Sequence, residues 1–451
     1  VVDELPPVEE GASAAGVTLD AVEKLASLLD APTLVYWGMG VNQSVRGTAT
    51  AGALVNLCLA SGNLGPGSGP FSLTGQANSM GTRVVSSKGT WPGHRPFEHP
   101  DHRRTVAEAW DVPVSRLPDD NGPGPVGMFE SSPSVVWTVA TNPLAGFPDA
   151  TAAREVLDDA FLVVQDAFRS ETVELADVVL PAATWGESEG TTMNMERTVS
   201  RVRPATETPP GVRQDLDIIA DVAARVAPGL LPRPSVSPSE LFDEFAALTA
   251  GTDADCSGLS YTRLDGERAV RWPAPDPTSE GGYRYYEDSA ESGDPTWSFP
   301  TPSGKAQFSA LSGSSLPDPT DESYPLTLTT GREADGYNTG VRTRSDTPDH
   351  PVARAHPETI DAHRDAVADS EGDRRTTVVS RRALVPATLD PDDAVPPGVV
   401  WLSIHHPMTN RLTTPAVDPQ SNEPNFKQCA VRLERPETTA ASDRLPAEVS
   451  D

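Results

Sequence analysis

The sequence predicts an α/β protein in which a mostly parallel sheet covered by helices is followed by a small β-barrel. Short apolar strands alternate with amphipathic helices over residues 1–230, as in a parallel sheet. Over residues 324–436, β-rich segments are separated by Gly, Pro and Asp turns, which favours a barrel. Residues 231–323 are rich in Pro, Gly and Ser and predict an extended connection with little core of its own. The polar residues 437–451 predict a disordered tail.

The individual elements follow from apolar spacing. In the first domain, helices are predicted over residues 19–29, with Asp20 as the cap, and over 50–60 and 215–226, and one helix over 238–248 interrupts the connection. Residues 34–37 predict a buried strand, and further strands are predicted at 135–139, 161–164 and 178–180. The barrel signal comes from residues 326–330, 376–389 and 399–404.

The chain is strongly acidic, with a formal net charge of −30 at pH 7. Such a charge opposes binding to nucleic acid or to an anionic membrane. Only four of the 35 basic residues are lysines, and the acid excess runs the whole length of the chain. This pattern favours a protein adapted to concentrated salt, where charge repulsion is screened; an ordinary acidic protein is the alternative.

Neither a signal peptide nor a transmembrane segment is expected, because no stretch approaches the roughly 20 apolar residues of a membrane span. The first residue is not Met, so we expect the chain to be cut from a longer protein. Cys58, Cys256 and Cys429 are far apart and match no disulfide, zinc or iron–sulfur spacing. We expect reduced thiols in a cytoplasmic protein, with Cys58 buried in an apolar helix.

Three Gly-rich stretches are candidates for phosphate binding. They lie at residues 38–47, directly after a strand, at 61–81, and at 329–332. Glycine lets backbone N–H groups approach a phosphate closely, and a loop after a strand is the usual position for such a site. Each stretch taken singly is more often a plain turn.

The ordered set of motifs resembles the molybdopterin oxidoreductase family. The motifs are Gly-Met-Gly-Val-Asn-Gln at 38–43, Leu-Thr-Gly-Gln at 73–76, Thr-Asn-Pro at 141–143, Gln-Asp-Ala-Phe at 165–168, Glu-Gly-Thr-Thr-Met-Asn at 189–194, Thr-Gly-Arg at 330–332, Tyr-Asn-Thr-Gly at 337–340 and Pro-Asn-Phe-Lys-Gln at 424–428. The resemblance covers residues 30–230 and 324–434, the C-terminal half of such a protein. It implies a molybdopterin-cofactor domain over residues 1–230 and a dinucleotide-binding barrel over residues 324–436.

Within the family, the segments at 73–83, 99–103 and 410–413 are similar to the assimilatory nitrate reductase branch. The composition of this chain is similar to that of haloarchaeal proteins. The resemblance implies reduction of nitrate to nitrite by oxygen-atom transfer at a molybdenum bis(molybdopterin guanine dinucleotide) centre. A formate dehydrogenase of the same family and a non-catalytic scaffold subunit without molybdenum stay open as alternatives.

The family's functional residues carry over onto matching positions. The resemblance implies cofactor contacts from Met39, Gln43, Asn142, Gln165, Asp166, Asp215, Thr330, Gly331, Arg332, Asn338, Asn410 and Lys427. Asp166 would accept hydrogen bonds from guanine or ribose, and Arg332 and Lys427 would pair with the diphosphate. For Asp215, a role as the N-cap of the predicted helix at 215–226 is an equally supported alternative to cofactor contact. Ser188 stands where the family often has Lys, which puts a contact there in doubt.

Arg46 is the candidate catalytic residue, because an arginine near the metal would draw nitrate into the site and stabilise negative charge. Its alternative role is a structural pair at a helix start. We expect the histidines at 94, 99, 102, 405 and 406 to be exposed in loops. We assign no metal ligand in this chain. The four-iron four-sulfur cluster is expected only in a missing N-terminal half, which would be a partner together with nitrate and an electron donor such as ferredoxin.

Overall fold

A computed structural model describes residues 5–65, 67–86, 89–231, 235–282, 286–288, 295–299, 301–311, 315–341, 348–370 and 373–436. The predicted tail at 437–451 lies outside the described residues. No helix in the described part of the chain is long and apolar enough to cross a membrane.

Fourteen α-helices occur in the described ranges: α1 Val8–Ala14, α2 Leu19–Leu29, α3 Met39–Asn42, α4 Gly47–Ala60, α5 Ser79–Ser86, α6 Pro100–Ala109, α7 Gly124–Glu130, α8 Pro143–Gly146, α9 Ala150–Asp159, α10 Glu171–Leu175, α11 Asp215–Val226, α12 Pro238–Leu248, α13 Tyr261–Glu267 and α14 Pro357–Ala362. The predicted helices at 19–29, 215–226 and 238–248 are confirmed. The cap predicted at Asp20 is wrong, because Thr18 precedes α2 and its side chain accepts from the Ala21 amide.

The strands of the described residues are β1 Leu34–Trp37, β2 Gly69–Ser72, β3 Thr90–Trp91, β4 Arg95–Pro96, β5 Val135–Val139, β6 Phe161–Asp166, β7 Val178–Pro181, β8 Gly190–Met193, β9 Thr198–Val202, β10 Ala269–Arg271, β11 Tyr286–Asp288, β12 Pro295–Trp297, β13 Leu326–Gly331, β14 Val352–Ala355, β15 Ala368–Ser370, β16 Asp373–Ser380, β17 Leu384–Pro391, β18 Val399–Ser403 and β19 Cys429–Glu434. The segment predicted at 376–389 is therefore two strands separated by a turn.

The parallel strands of the first domain form two small sheets. One has the order β5-β6-β7, and the other pairs β1 with β2. The prediction of a buried strand at 34–37 is wrong in its burial, because Leu34 and Tyr36 are exposed. Helices α8, α9 and α10 pack on one face of the β5-β6-β7 sheet, around Leu162 and Val164.

The segment between the two domains is more than a connection. Strand β10 joins the antiparallel sheet β10-β9-β8, and α12 and α13 pack beside it. Phe242, Phe245, Leu264 and Trp272 belong to one buried cluster with residues of the first domain, including Val199. The expectation of little core is wrong for residues 238–274, since their large apolar side chains fill one packed interior.

The C-terminal domain is a closed barrel of six strands. Its order is β16-β17-β14-β18-β13-β19, and pairing of β19 with β16 closes it, while β15 extends the edge of β16. The pairs β13–β18 and β14–β17 are parallel. Alternate residues of the strands point inward, so Leu328, Val378 and Leu402 lie in its buried core.

Candidate functional site

A cavity of about 320 Å³ lies between the two domains. We call it the interdomain cavity. It opens where β5 and β6 end, at Asn142 and Asp166, and it is closed on the other side by Asn338 and its neighbours from the barrel. Four of the quoted motifs meet in its wall, through Gln76, Thr141–Pro143, Asp166 with Phe168, and Tyr337–Thr339. Ligands of open parallel sheets bind at this carboxyl end of the strands.

Asn142 is held rigidly at the edge of the interdomain cavity. Its amide group donates to Glu171 Oε2 at 2.8 Å and to Thr339 Oγ1 at 3.2 Å. Its Oδ1 accepts from the hydroxyl of Thr172 at 2.8 Å. These bonds join the first domain to the barrel loop and fix the orientation of the asparagine.

Gln165 and Asp215 were predicted separately as cofactor contacts, and in the structure they bind each other. The Gln165 amide donates to Asp215 Oδ1 at 2.6 Å, and the Gln165 side chain is fully buried. Asp215 is the first residue of α11, and Gln214 occupies the N-cap without a side-chain bond. The N-cap alternative for Asp215 is therefore wrong. Asp166, next along β6, accepts from the Phe168 amide at 3.0 Å.

Lys427 and Arg332 form a cationic pair at the end of β13. The Lys427 ammonium donates to the Thr330 carbonyl at 2.8 Å. Burial, together with the charge of Arg332, lowers the pKa of Lys427 to about 8. None of the described residues forms an ion pair with either side chain. Two neighbouring cations without a carboxylate between them leave an unbalanced positive charge that suits a diphosphate.

Two glycines lie near this pair. A Cβ at Gly331 would stand 2.1 Å from Nε1 of Trp401, so only glycine fits at the end of β13. A Cβ at Gly75 would lie 3.7 Å from Nη1 of Arg332, which brings the Leu-Thr-Gly-Gln loop alongside the guanidinium.

A second cavity, of about 600 Å³, is lined by Arg332, Arg354, His405 and His406 among others. The prediction of exposed loop positions is wrong for His405 and His406, which are both buried. His405 Nε2 accepts from the Glu333 amide at 3.1 Å, and its Nδ1 lies 2.6 Å from the Asn338 carbonyl. These contacts tie the loop that carries Asn338 to the end of β18. Within the described ranges, no group of His, Cys, Asp and Glu side chains could hold a metal ion.

Met39, Gln43 and Arg46 lie on the segment between β1 and α4, outside the walls of both cavities. The Gln43 carbonyl accepts from the Phe426 amide at 3.1 Å, which places this segment next to Lys427. Arg46 is exposed at the N-cap of α4 and makes no side-chain cap bond. Its catalytic role stays a prediction.

Asn410 does not line the interdomain cavity. It is fully buried, and its amide donates to the Ala145 carbonyl at 2.8 Å, so it links the barrel to α8. Ser188, where the family often has Lys, donates to the Thr184 carbonyl at 2.8 Å.

Sequence reasoning missed several residues that organise the site. Glu171 and Thr172 hold Asn142 from about 30 positions away, and no pattern in the sequence connects them. Asp418, which binds Thr48, was missed for the same reason. Thr339 could have been found, because it belongs to the Tyr-Asn-Thr-Gly motif beside the predicted Asn338.

These residues fit the diphosphate and the nucleoside of a pterin dinucleotide. The Lys427–Arg332 pair, beside Gly331, which admits no side chain, suits a diphosphate. The interdomain cavity offers an acceptor at Asp166, the second lone pair of Asn142 Oδ1 and the amide group of Asn338, which suit a base and ribose.

Two family models match the chain. Residues 14–225 match the Molybdopterin oxidoreductase family, and residues 326–430 match the Molydopterin dinucleotide binding domain. Together the two segments cover more than half of the chain.

Several curated proteins are similar along nearly the whole chain. It is 81% identical over 451 residues to an assimilatory nitrate reductase of Haloferax mediterranei, covering 100% of this chain and 63% of that protein. It is 33% identical to a nitrate reductase of Synechocystis, covering 96% and 62% of the two chains. It is 30% identical to the alpha subunit of F420-dependent formate dehydrogenase 2 of Methanococcus maripaludis, covering 95% and 62%. The chain thus spans about three-fifths of these relatives.

The fold is also similar to a solved structure, acetylene hydratase from Pelobacter acetylenicus. The TM-score is 0.65 at 16% identity, and the match covers 95% of this chain and 64% of that one. At this identity the likeness concerns the fold alone. From the two family models and the 81% identity over all 451 residues, we conclude that this chain belongs to the molybdopterin oxidoreductase family and carries a cofactor domain followed by a dinucleotide-binding barrel.

Proposed function

We propose that the chain is the C-terminal part of a molybdenum-dependent assimilatory nitrate reductase. The observation that carries this proposal is the 81% identity to the Haloferax mediterranei enzyme over every residue of the chain. The lower identity of 30% to a formate dehydrogenase subunit makes formate oxidation the second candidate.

The chain's own residues would hold the cofactor and position the anion. Lys427 and Arg332 would bind the diphosphate, while Asp166, Asn142 and Asn338 would contact guanine and ribose. Met39, Gln43, Thr330 and Gly331 would contribute contacts around the diphosphate. When bound, the molybdenum bis(molybdopterin guanine dinucleotide) supplies the two-electron chemistry that removes oxygen from nitrate. Arg46 would draw nitrate towards that centre.

The proposal includes partners that this chain does not contain. We propose that an N-terminal segment supplies the four-iron four-sulfur cluster, that a ferredoxin-like protein donates electrons, and that the enzyme works in the cytoplasm. Buried Cys256 and Cys429 fit reduced thiols without a cluster role, because burial raises the pKa of each to about 12.

The test compares the 451-residue chain with a single polypeptide that joins it to the remaining part of the Haloferax mediterranei relative. We expect the joined polypeptide to bind molybdenum and to reduce nitrate with reduced viologen as donor. The chain alone should bind little molybdenum and show no turnover. Formate oxidation without nitrate reduction would contradict the proposal and support the formate dehydrogenase. Absence of molybdenum in the joined polypeptide would support the non-catalytic scaffold.

A further inference from the structure

A loop of the barrel forms the wall between the interdomain cavity and the second cavity. We call residues 333–340 the cavity loop. Its Asn338 lines the interdomain cavity, whereas its Glu333 and Gly336 line the second cavity. His405, which follows β18, lines the second cavity as well. The loop therefore faces the predicted nucleoside site on one side and a buried histidine on the other.

His405 holds the cavity loop at two points. The Glu333 amide donates to Nε2 of His405 at 3.1 Å, and Nδ1 of His405 lies 2.6 Å from the Asn338 carbonyl. A backbone N–H can only donate and a carbonyl oxygen can only accept, so the ring is neutral and carries its proton on Nδ1. Both ring nitrogens are thus used to hold the loop, and the other neutral tautomer would satisfy neither bond.

The shape of the cavity loop depends on this ring. A Cβ at Gly336 would overlap Cδ2 and Nε2 of His405, so glycine lets the loop close over the imidazole. Asn338 has a φ of 47°, in the left-handed region, which asparagine tolerates better than most residues but still at a cost. The hydrogen bond from Nδ1 of His405 to the Asn338 carbonyl stabilises this conformation.

Other contacts hold the cavity loop near its two ends. Arg354 donates to the Glu333 carboxylate at 3.0 Å, and Thr339 Oγ1 accepts from the Asn142 amide group at 3.2 Å. The side chains of Arg354 and Glu333 are 37% and 41% exposed, and exposed ion pairs contribute only about 0–1 kcal/mol. Buried His405 instead spans the loop between these ends, with hydrogen bonds that are shielded from water.

We infer that His405 is a positioning residue for the cofactor, which holds the cavity loop so that Asn338 faces the nucleoside in the interdomain cavity. His405 does not line that cavity, so it acts through the loop rather than by contact with the nucleotide. The inference rests on the proposed function, in which Asn338 contacts guanine or ribose.

The test measures the affinity of the 451-residue chain for GDP by calorimetric titration in molar KCl, together with hydrogen exchange of the cavity loop. His405→Ala removes both hydrogen bonds, whereas His405→Asn keeps a donor near the position of Nδ1 for the Asn338 carbonyl. Gly336→Ala leaves His405 unchanged but pushes the loop away from the ring, because the φ of Gly336 lies outside the left-handed region and only the Cβ contact opposes alanine. If His405→Ala does not fold, the other two variants still test the inference.

Two variants serve as matched controls. Gly122→Ala adds a methyl group at a position where a Cβ would meet nothing within 4 Å. His406→Asn changes a second buried histidine, whose Nδ1 accepts from the Met408 amide at 3.2 Å, a bond that the asparagine carbonyl can keep. We expect both controls to bind GDP as tightly as the unchanged chain.

We expect His405→Ala and Gly336→Ala each to weaken GDP binding by about tenfold, as for the loss of one or two hydrogen bonds, and to speed exchange of the loop amides. His405→Asn should recover part of the affinity that His405→Ala loses. In the His405→Ala background, Gly336→Ala should cause no further loss, because the ring that it would overlap is absent.

Faster loop exchange with unchanged GDP affinity would overturn the inference, because the loop would then move without consequence for the nucleotide. Weaker GDP binding with unchanged loop exchange would exclude action through the loop, and equal losses in the controls would exclude a specific role of His405. A chain that did not bind GDP at all would refute the inference together with the cofactor contacts proposed above. If the expected GDP and exchange results held but the joined polypeptide did not reduce nitrate, the inference would stand and only the proposed nitrate reduction would be refuted.

Discussion

Thr48, in the first turn of α4, donates two hydrogen bonds to the carboxylate of Asp418, which lies 370 positions later. The Thr48 amide binds Oδ2 at 3.0 Å, and its hydroxyl binds Oδ1 at 2.8 Å. The side chain of Arg46, the N-cap residue of α4, makes no capping hydrogen bond. Asp418 of the barrel therefore supplies the cap that the helix lacks. Asp418 therefore fixes the segment that carries Arg46 against the barrel.

We expect Asp418→Ala to lower the free energy of unfolding by about 1–2 kcal/mol, as for loss of a helix cap. Denaturant unfolding in molar KCl would measure it, with exposed Asp393→Ala as the control. Burial acts to raise the pKa of Asp418, but hydrogen bonds from Thr48, Ser421 and Gln420 outweigh it and leave the pKa below the ordinary value of 3.8. The stabilisation should be complete above about pH 4 and disappear as the pH falls through the lowered pKa. If Asp418→Ala lowered the free energy of unfolding by the same amount at acid pH, this account would be contradicted.

Removing a predicted cofactor contact should lower cofactor retention. In the joined polypeptide, we expect Asp166→Ala and Lys427→Ala each to weaken binding by about 1.5–3 kcal/mol, as for hydrogen bonds to charged groups. Molybdenum and pterin content per chain would measure it. Exposed Asp159→Ala and Lys24→Ala are the charge-matched controls. Full loading of both site variants would refute these assignments.

The pKa of Lys427, about 8, predicts a pH dependence of anion binding. A bound diphosphate stabilises the ammonium, so binding requires a proton that the free protein loses above this pH. Affinity for GDP as the probe should be constant below about pH 8 and fall by up to about tenfold per unit above it. Calorimetric titration would test this up to about pH 9. The Lys427→Arg side chain keeps its positive charge over this pH range, so its GDP affinity should not fall above about pH 8. If GDP affinity depended on pH in the same way in the unchanged protein and in Lys427→Arg, the prediction would be contradicted.

The salt dependence of stability follows from the distributed acidic charge. At low ionic strength, repulsion among the excess carboxylates should unfold or aggregate the chain, and above about 1 M salt the screening should restore it. Melting temperatures in dilute and in molar KCl would measure this. The same melting temperature in both would refute salt adaptation.

The sequence by itself determined the order of elements and the positions of most motifs. Apolar periodicity is a local property, so it located strands β5 to β7, helix α11 and the barrel segments, and it placed Asp166 at a strand end. The ends of parallel strands meet at one edge of a sheet, which is why Asn142 and Asp166, predicted separately, line one cavity.

Only the tertiary structure decided which polar groups bind one another. The Gln165 amide donates to Asp215, the Asn410 amide donates to the Ala145 carbonyl, and Asp418 caps a helix of the other domain. The sequence pattern likewise did not predict that Leu34 and Tyr36 are exposed. Nor did it predict the buried core that contains Phe242 and Trp272. Periodicity shows which residues share a face of an element, whereas burial and hydrogen-bond partners depend on what packs against that face.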